Sequence, residues 1–292
     1  MAVIDRRRFL TSTAALAAVA ALGPRLNSAT TALRKAIHIT MLPEDRPFLD
    51  RFRLAVDSGF AGIEMQTVGD PGLAEQIREA AERSGLRIHS VVNSSPPRWS
   101  LSSGDQEVVR RSVAGMETSL RNAKLWGADV VLFVPAVDDQ ETSYRDAWNR
   151  SQKVIRDRIL PLAQELKVVV AVEEVWSKFL IGPLELARYV DAFASPWVKA
   201  YVNTGKVVFY AYPQDWIRTL GRRIAKVHVK DFHLGRPGCL QVKNIGDGDI
   251  DWTEVRKALR EIGYDGWVTT EIAGGDAAYL QDVAVRLDRH LA

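Results

Sequence analysis

The chain has 292 residues, 47% of them hydrophobic and 26% charged, with a formal net charge of +3. That is ordinary globular composition, and the length suits one large domain or two small ones. Lys and Arg are scattered among Asp and Glu, so no basic stripe marks a nucleic-acid footprint, and the lone Cys239 excludes a disulfide framework or a cysteine-ligated zinc site.

The first segment in chain order reads as an export signal. Arg6-Arg7-Arg8-Phe9-Leu10 precedes an apolar run over 11–23, too short for a membrane span of about 20 residues. A charged start, a short apolar middle and small residues beyond it describe a signal peptide. Paired arginines followed by Phe-Leu resemble the twin-arginine type. An amphipathic first helix is the competing reading, but 14–22 has no polar face. The expectation is a twin-arginine-type signal over 1–30 and an exported, periplasmic protein with no stable membrane insertion after signal removal.

From residue 36 onward, short Val/Ile-rich runs alternate with segments of helical period. Strands are expected over 36–41, 62–66, 87–92, 130–134, 168–173, 198–203, 226–230 and 267–272. Most lack polar alternation, as strands buried on both faces do. In the first helix the spacing groups Phe48, Phe52, Leu54 and Val56 on one side. Further helices follow over 73–81, 108–125, 148–166, 184–193, 216–220, 255–262 and 277–291. Gly59, Gly85, Gly127 and Gly263 stand where a helix end wants a left-handed residue. Eight strands alternating with eight helices predict an α/β protein with a single-domain (β/α)8 TIM barrel over 36–292. A doubly wound sheet fits less well, because no G-x-G-x-x-G follows the first strand. The longest irregular connection, NSSPPRWSLSSGD over 93–105, would hang over the barrel mouth, with Arg98 and Trp99 as lid candidates.

Chemistry in such a barrel collects at the C-terminal strand ends. There the chain offers His38, Glu64, Gln66, His89, Asn93, Glu173, Glu174, Asn203, His228, Lys230, Asp231 and Glu271. Each alone reads as an ordinary hydrogen-bonded or ion-paired residue. The set reads differently. Glu173, His228 and Glu271 end three otherwise apolar strands, and burying them costs several kcal/mol each unless something compensates. A divalent cation would compensate all three, and two carboxylates with one imidazole suit Mn, Mg, Zn or Co.

The motifs IEMQ, AVEEVW, VNTGK, HVKDF and TTEI, with GDGDIDW over 246–252, resemble those of the xylose isomerase-like TIM-barrel superfamily. It includes sugar isomerases, ketose 3-epimerases, hydroxypyruvate isomerases and metal-dependent apurinic endonucleases. The resemblance implies one divalent metal ion held by Glu173, Asn203, His228 and Glu271, with Glu174 pointing away. It also implies that Glu173 and Glu271 are the catalytic pair, one abstracting and one returning a proton through an enediolate. Glu64, His89, Trp176, Lys206 and Lys230 become substrate-binding candidates.

This chain departs from the family pattern at two positions. Asn203 stands where relatives carry aspartate, and Lys206 where they carry asparagine. Asparagine supplies an oxygen but no charge, and an inward lysine would repel the ion. Three outcomes stay open: a weaker metal site, a lysine taking over part of the metal's role, or a barrel without catalysis. The expected function is a divalent-metal-dependent sugar or sugar-acid isomerase or epimerase acting on a small-molecule carbohydrate, as a monomer or homo-oligomer, with no nucleic-acid partner. The alternatives are a lyase or hydrolase on keto-glycosides and a non-catalytic carbohydrate-binding barrel. Endonuclease activity ranks last, since that branch uses many His and Asp ligands and this chain has five histidines.

Overall fold

The computed structural model describes residues 33–94, 99–137, 140–173, 177–209, 211–234 and 240–291. The segment 1–30, read as the signal, and Arg98, Glu174 and Trp176 lie outside these residues. The described chain runs β1 (Arg34–His38), α1 (Phe48–Asp57), β2 (Gly62–Gln66), α2 (Pro71–Ser84), β3 (Arg87–Val92), α3 (Gln106–Trp126) and β4 (Val130–Phe133). It continues through α4 (Tyr144–Val154), α5 (Leu160–Leu166), β5 (Val169–Glu173), α6 (Pro183–Asp191), β6 (Val198–Asn203), α7 (Thr204–Val207) and α8 (Pro213–Leu220). It ends with β7 (Ile224–Val229), β8 (Asp231–Leu234), β9 (Leu240–Lys243), α9 (Trp252–Glu261), β10 (Trp267–Thr270) and α10 (Ala277–Leu291).

Eight of these strands close a barrel in the order β1-β10-β7-β6-β5-β4-β3-β2, and every neighbouring pair is parallel. This is the TIM barrel that the alternation predicts. The strands are buried on both faces, as in β4, where all of VVLF is buried. The larger apolar cluster lies between sheet and helices and includes Ile37, Phe52, Ile63 and Trp216. A small second cluster of Val130, Leu132, Ala171 and Tyr201 fills the barrel interior.

Local chemistry sets the helix ends. Asp70 caps α2 by accepting the Leu73 N–H at 2.6 Å, and Asp251 caps α9 by accepting that of Glu254 at 3.0 Å. The four expected terminal glycines all have positive φ: 93° at Gly59, 73° at Gly85 and Gly127, and 68° at Gly263.

The structure corrects several expectations. In α1 the buried residues are Arg51, Phe52 and Ala55, whereas Val56 is 40% exposed; the 3.6-residue period turns 56 away from the 48–52–55 stripe. The first strand stops at His38 rather than 41, because Ile39–Met41 coils into a tight turn in which the His38 ring accepts the Thr40 N–H. The last barrel strand stops at Thr270, leaving Glu271 just beyond it, tied by its N–H to Val229 O at 3.4 Å. An unanticipated antiparallel hairpin, β8–β9, follows β7. Its short strands are largely solvated, so they lack the apolar runs that betray the barrel strands.

Candidate functional site

Register decides which side chains share the barrel interior. His38 pairs with Glu64, and His228 pairs with both Asn203 and Thr269. Ala171 and Tyr201 line the interior cluster. By the two-residue period, Glu173 and Asn203 face the same way one step nearer the C-terminal rim. His228 is the hub of the polar cluster that results.

Glu64 is fully buried. One of its oxygens accepts from Tyr201 Oη at 2.9 Å, and the other forms an ion pair with His228 Nε2. His228 Nδ1 lies 3.5 Å from Glu173 Oε1 and 3.3 Å from Glu271 Oε2. The structure therefore brings together the two glutamates and the imidazole that end three separate strands.

Two ammonium groups complete the cluster. Lys206 Nζ donates to Glu173 Oε2 at 2.6 Å, and Lys230 Nζ stands 2.6 Å from Glu271 Oε2. Asn203 positions the first of them. Its Oδ1 accepts the Lys206 N–H at 3.2 Å, opening α7, while its Nδ2 donates to Glu173 Oε1 at 3.0 Å. Gly205 lets this turn settle against the end of β7. A Cβ there would come within 2.5 Å of Lys230 Cβ and 2.8 Å of the Phe232 ring. The glycine of VNTGK thus brings both lysines to one rim.

The charges hold one another. Burial opposes ionisation of His228, but Glu64 first, then Glu173 and Glu271, push its pKa up to about 10. Burial likewise opposes the Glu173 carboxylate, and Lys206 and His228 hold it down to about 2. Glu64 is held far below the usual carboxylate range by His228, against its own burial. Glu271 is lowered by His228 and Lys230, again against burial. With His228 protonated, three carboxylates, Glu64, Glu173 and Glu271, face three cations, His228, Lys206 and Lys230.

His89 is not part of this cluster. Between β2 and β3 the register jumps from Ile63–Ile88 to Glu64–Ser90, so His89 is the extra residue of a bulge. Its ring stacks on Trp267, 4.8 Å between centroids, and its Nε2 is 3.0 Å from Thr269 Oγ1. That is a packing position, away from the rim where a hydroxyl-binding role was expected. Glu64, also expected to meet hydroxyls, has both oxygens committed within the protein. Trp99 lies with the Arg111 guanidinium 5.9 Å from its ring centre. Tyr201, the partner of Glu64, was missed by the sequence reading, although it sits two residues before Asn203 and so on the same strand face.

Asp231 uses its charge differently. Its fully buried carboxylate accepts N–H groups of Phe232 at 2.9 Å, Gly246 at 2.9 Å, Gly248 at 3.2 Å and Ile250 at 3.3 Å, and Trp252 Nε1 at 2.8 Å. The GDGDIDW segment is therefore the anchor that returns the chain from the hairpin to α9.

A divalent ion shared by Glu173, Asn203, His228 and Glu271 would need a free amide oxygen, an imidazole lone pair and carboxylates clear of other cations. Here Asn203 Oδ1 is used by the Lys206 N–H. Both His228 nitrogens face carboxylates, and an ammonium stands on Glu173 and on Glu271. Among the described residues no group of three or more His, Cys, Asp or Glu side chains has an arrangement that would hold a metal ion. In this arrangement the residues do not fit the divalent ion expected from the resemblance. The reason is the donor set: positive charge from the chain already stands where the ion would.

Residues 52–288 match the family model described as "Xylose isomerase-like TIM barrel". The chain is 25% identical over 255 residues to the 2-oxo-tetronate isomerase of Pectobacterium atrosepticum, covering 81% of this chain and 90% of that protein. Among solved structures, it superposes on 3-keto-D-glucoside 4-epimerase from E. coli with a TM-score of 0.75 and 15% identity, covering 88% of this chain and all of that one. A D-allulose 3-epimerase from Methylomonas sp. in complex with D-allulose gives a TM-score of 0.74 and 16% identity, with 89% and 97% covered. These structural likenesses are likenesses of fold.

Proposed function

The chain belongs to the xylose isomerase-like TIM-barrel family, and from that premise we propose that it is a carbohydrate isomerase or epimerase working by proton transfer next to a carbonyl. One observation carries this reading: Glu173 and Glu271, from opposite sides of His228, approach the same ring nitrogen within 3.5 Å and 3.3 Å. A sugar seated over that point presents its two faces, or two adjacent carbons, to two carboxylates. One takes the proton from the carbon beside the carbonyl; the proton is returned either by that same carboxylic acid or by the other glutamate after it has taken a proton from solvent. Return to the opposite face epimerises; return to the neighbouring carbon isomerises. Glu173 ends β5 and Glu271 follows β10 directly, tied by its N–H to Val229 O, so both carboxylates are positioned before the sugar arrives. The export signal read over 1–30 points to free sugars or sugar acids outside the cytoplasm rather than phosphorylated metabolites.

The test is incubation of the purified protein with a panel of free ketoses and 2-oxo sugar acids in heavy water, followed by proton NMR. Solvent deuterium at the carbon beside the carbonyl, without fragmentation of the sugar, is the expected result. Release of a fragment would move the assignment to a lyase. Binding of sugars with no exchange across the panel would leave a carbohydrate-binding barrel.

A further inference from the structure

We propose that the ammonium groups of Lys206 and Lys230 take the place of the divalent cation, making this a metal-free member of a metal-binding architecture. The inference deepens the proton-transfer reading above and rests on it. It is carried by the paired geometry of two glutamate–lysine contacts, each 2.6 Å, on the two sides of His228, and by the engagement of Asn203 Oδ1 in capping the turn that presents Lys206. The two departures from the family pattern are coupled in space. The asparagine that cannot supply charge is the residue that positions the lysine that does.

The chemistry balances without a metal. In the resting state each ammonium holds its glutamate, which lowers that carboxylate's strength as a base. When a hydroxy-carbonyl sugar enters, its carbonyl oxygen takes the ammonium's hydrogen bond. The glutamate it displaces is then a free carboxylate beside the acidified carbon. That carboxylate takes the proton. The C–H electron pair becomes the C=C bond of the enediolate, and the carbonyl π pair moves onto the oxygen, where the ammonium stabilises it. The proton returns from the carboxylic acid that took it, or from the other glutamate once solvent has protonated it, and no oxidant or reductant is needed. Both lysines suit this exchange of partners. Their side chains are 17% and 15% exposed, and each carries its charge on a flexible four-carbon stem.

The test is a titration of the chelator-treated full-length protein with Mn²⁺, read by electron paramagnetic resonance and by elemental analysis, and repeated on the Asn203→Asp/Lys206→Asn double variant. The wild type is expected to bind no stoichiometric Mn²⁺, with a dissociation constant weaker than about 1 mM, and the double variant to bind one ion at least about tenfold more tightly. A wild-type protein that holds one Mn²⁺ per chain tightly overturns the proposal. So does a folded double variant that gains no affinity, since Lys206 and Asn203 would then not be what excludes the ion. These readouts need no substrate, so they decide the inference even if no sugar on the panel exchanges deuterium. Where exchange is seen, it should survive the chelator and fall by about 100-fold in Lys206→Met; loss of exchange on chelation would contradict the proposal.

Discussion

Two buried carboxylates, Asp231 and Glu173, solve the same problem in opposite ways. Asp231 is satisfied by four backbone N–H groups and an indole N–H, all neutral and all fixed in the chain. Glu173 is satisfied by an amide, an imidazole and an ammonium on a long side chain. The first arrangement locks a loop, because its partners cannot leave without unfolding the turn. The second is the one we propose to be exchangeable, an incoming oxygen taking over the lysine. Burial is common to both carboxylates; what differs is that one is held mainly by backbone N–H groups and the other by side chains.

Breaking the locked region should cost the most. Asp231→Ala leaves several buried N–H groups without an acceptor and is expected to destabilise the barrel by about 4 kcal/mol in urea unfolding. An effect below about 1 kcal/mol would mean that water replaces the carboxylate and that the anchor is not one. Glu64→Gln comes next. It keeps the shape but strips His228 of its main counter-charge, and is expected to cost about 3 kcal/mol. Lys206→Met should cost least, about 2 kcal/mol by the same measurement, because its side chain is partly exposed and buried Glu173 keeps Asn203 and His228 as partners. Should Lys206→Met destabilise as much as Asp231→Ala, the contrast between a locked and an exchangeable carboxylate fails.

Much of the barrel was legible because its strands are short runs of Val and Ile between glycine-ended helices. The convergence of Glu173, His228 and Glu271 was legible as well, since ionisable groups that end apolar strands stand out. What the sequence concealed came from register and from partners. The bulge that drops His89 out of the rim leaves no trace in composition. The partnership of Glu64 with His228 spans 164 residues and appears only when the barrel closes. Asn203 and Lys206 were visible as departures, but whether the lysine faced inward depended on the turn at Gly205, whose need for a bare Cα is set by Lys230 and Phe232. The hairpin β8–β9 was hidden because its half-solvated strands carry no apolar run.

The same charge network fixes how stability should respond to pH. The pKa of His228 is raised from 6.5 to about 10 on folding, so its contribution is complete below 6.5 and is lost as pH climbs through 10. The Glu173 value is lowered from 4.5 to about 2, so its contribution is complete above 4.5 and is lost as pH falls through 2. The central claim, that the cluster is neutralised by cations of the chain itself, is tested most directly by nitrogen NMR of the labelled imidazole of His228. The ring should carry protons on both nitrogens at ~pH 8, where an unperturbed histidine is neutral. A singly protonated His228 at that pH would contradict the account, because a lone pair would then be free to hold a metal ion.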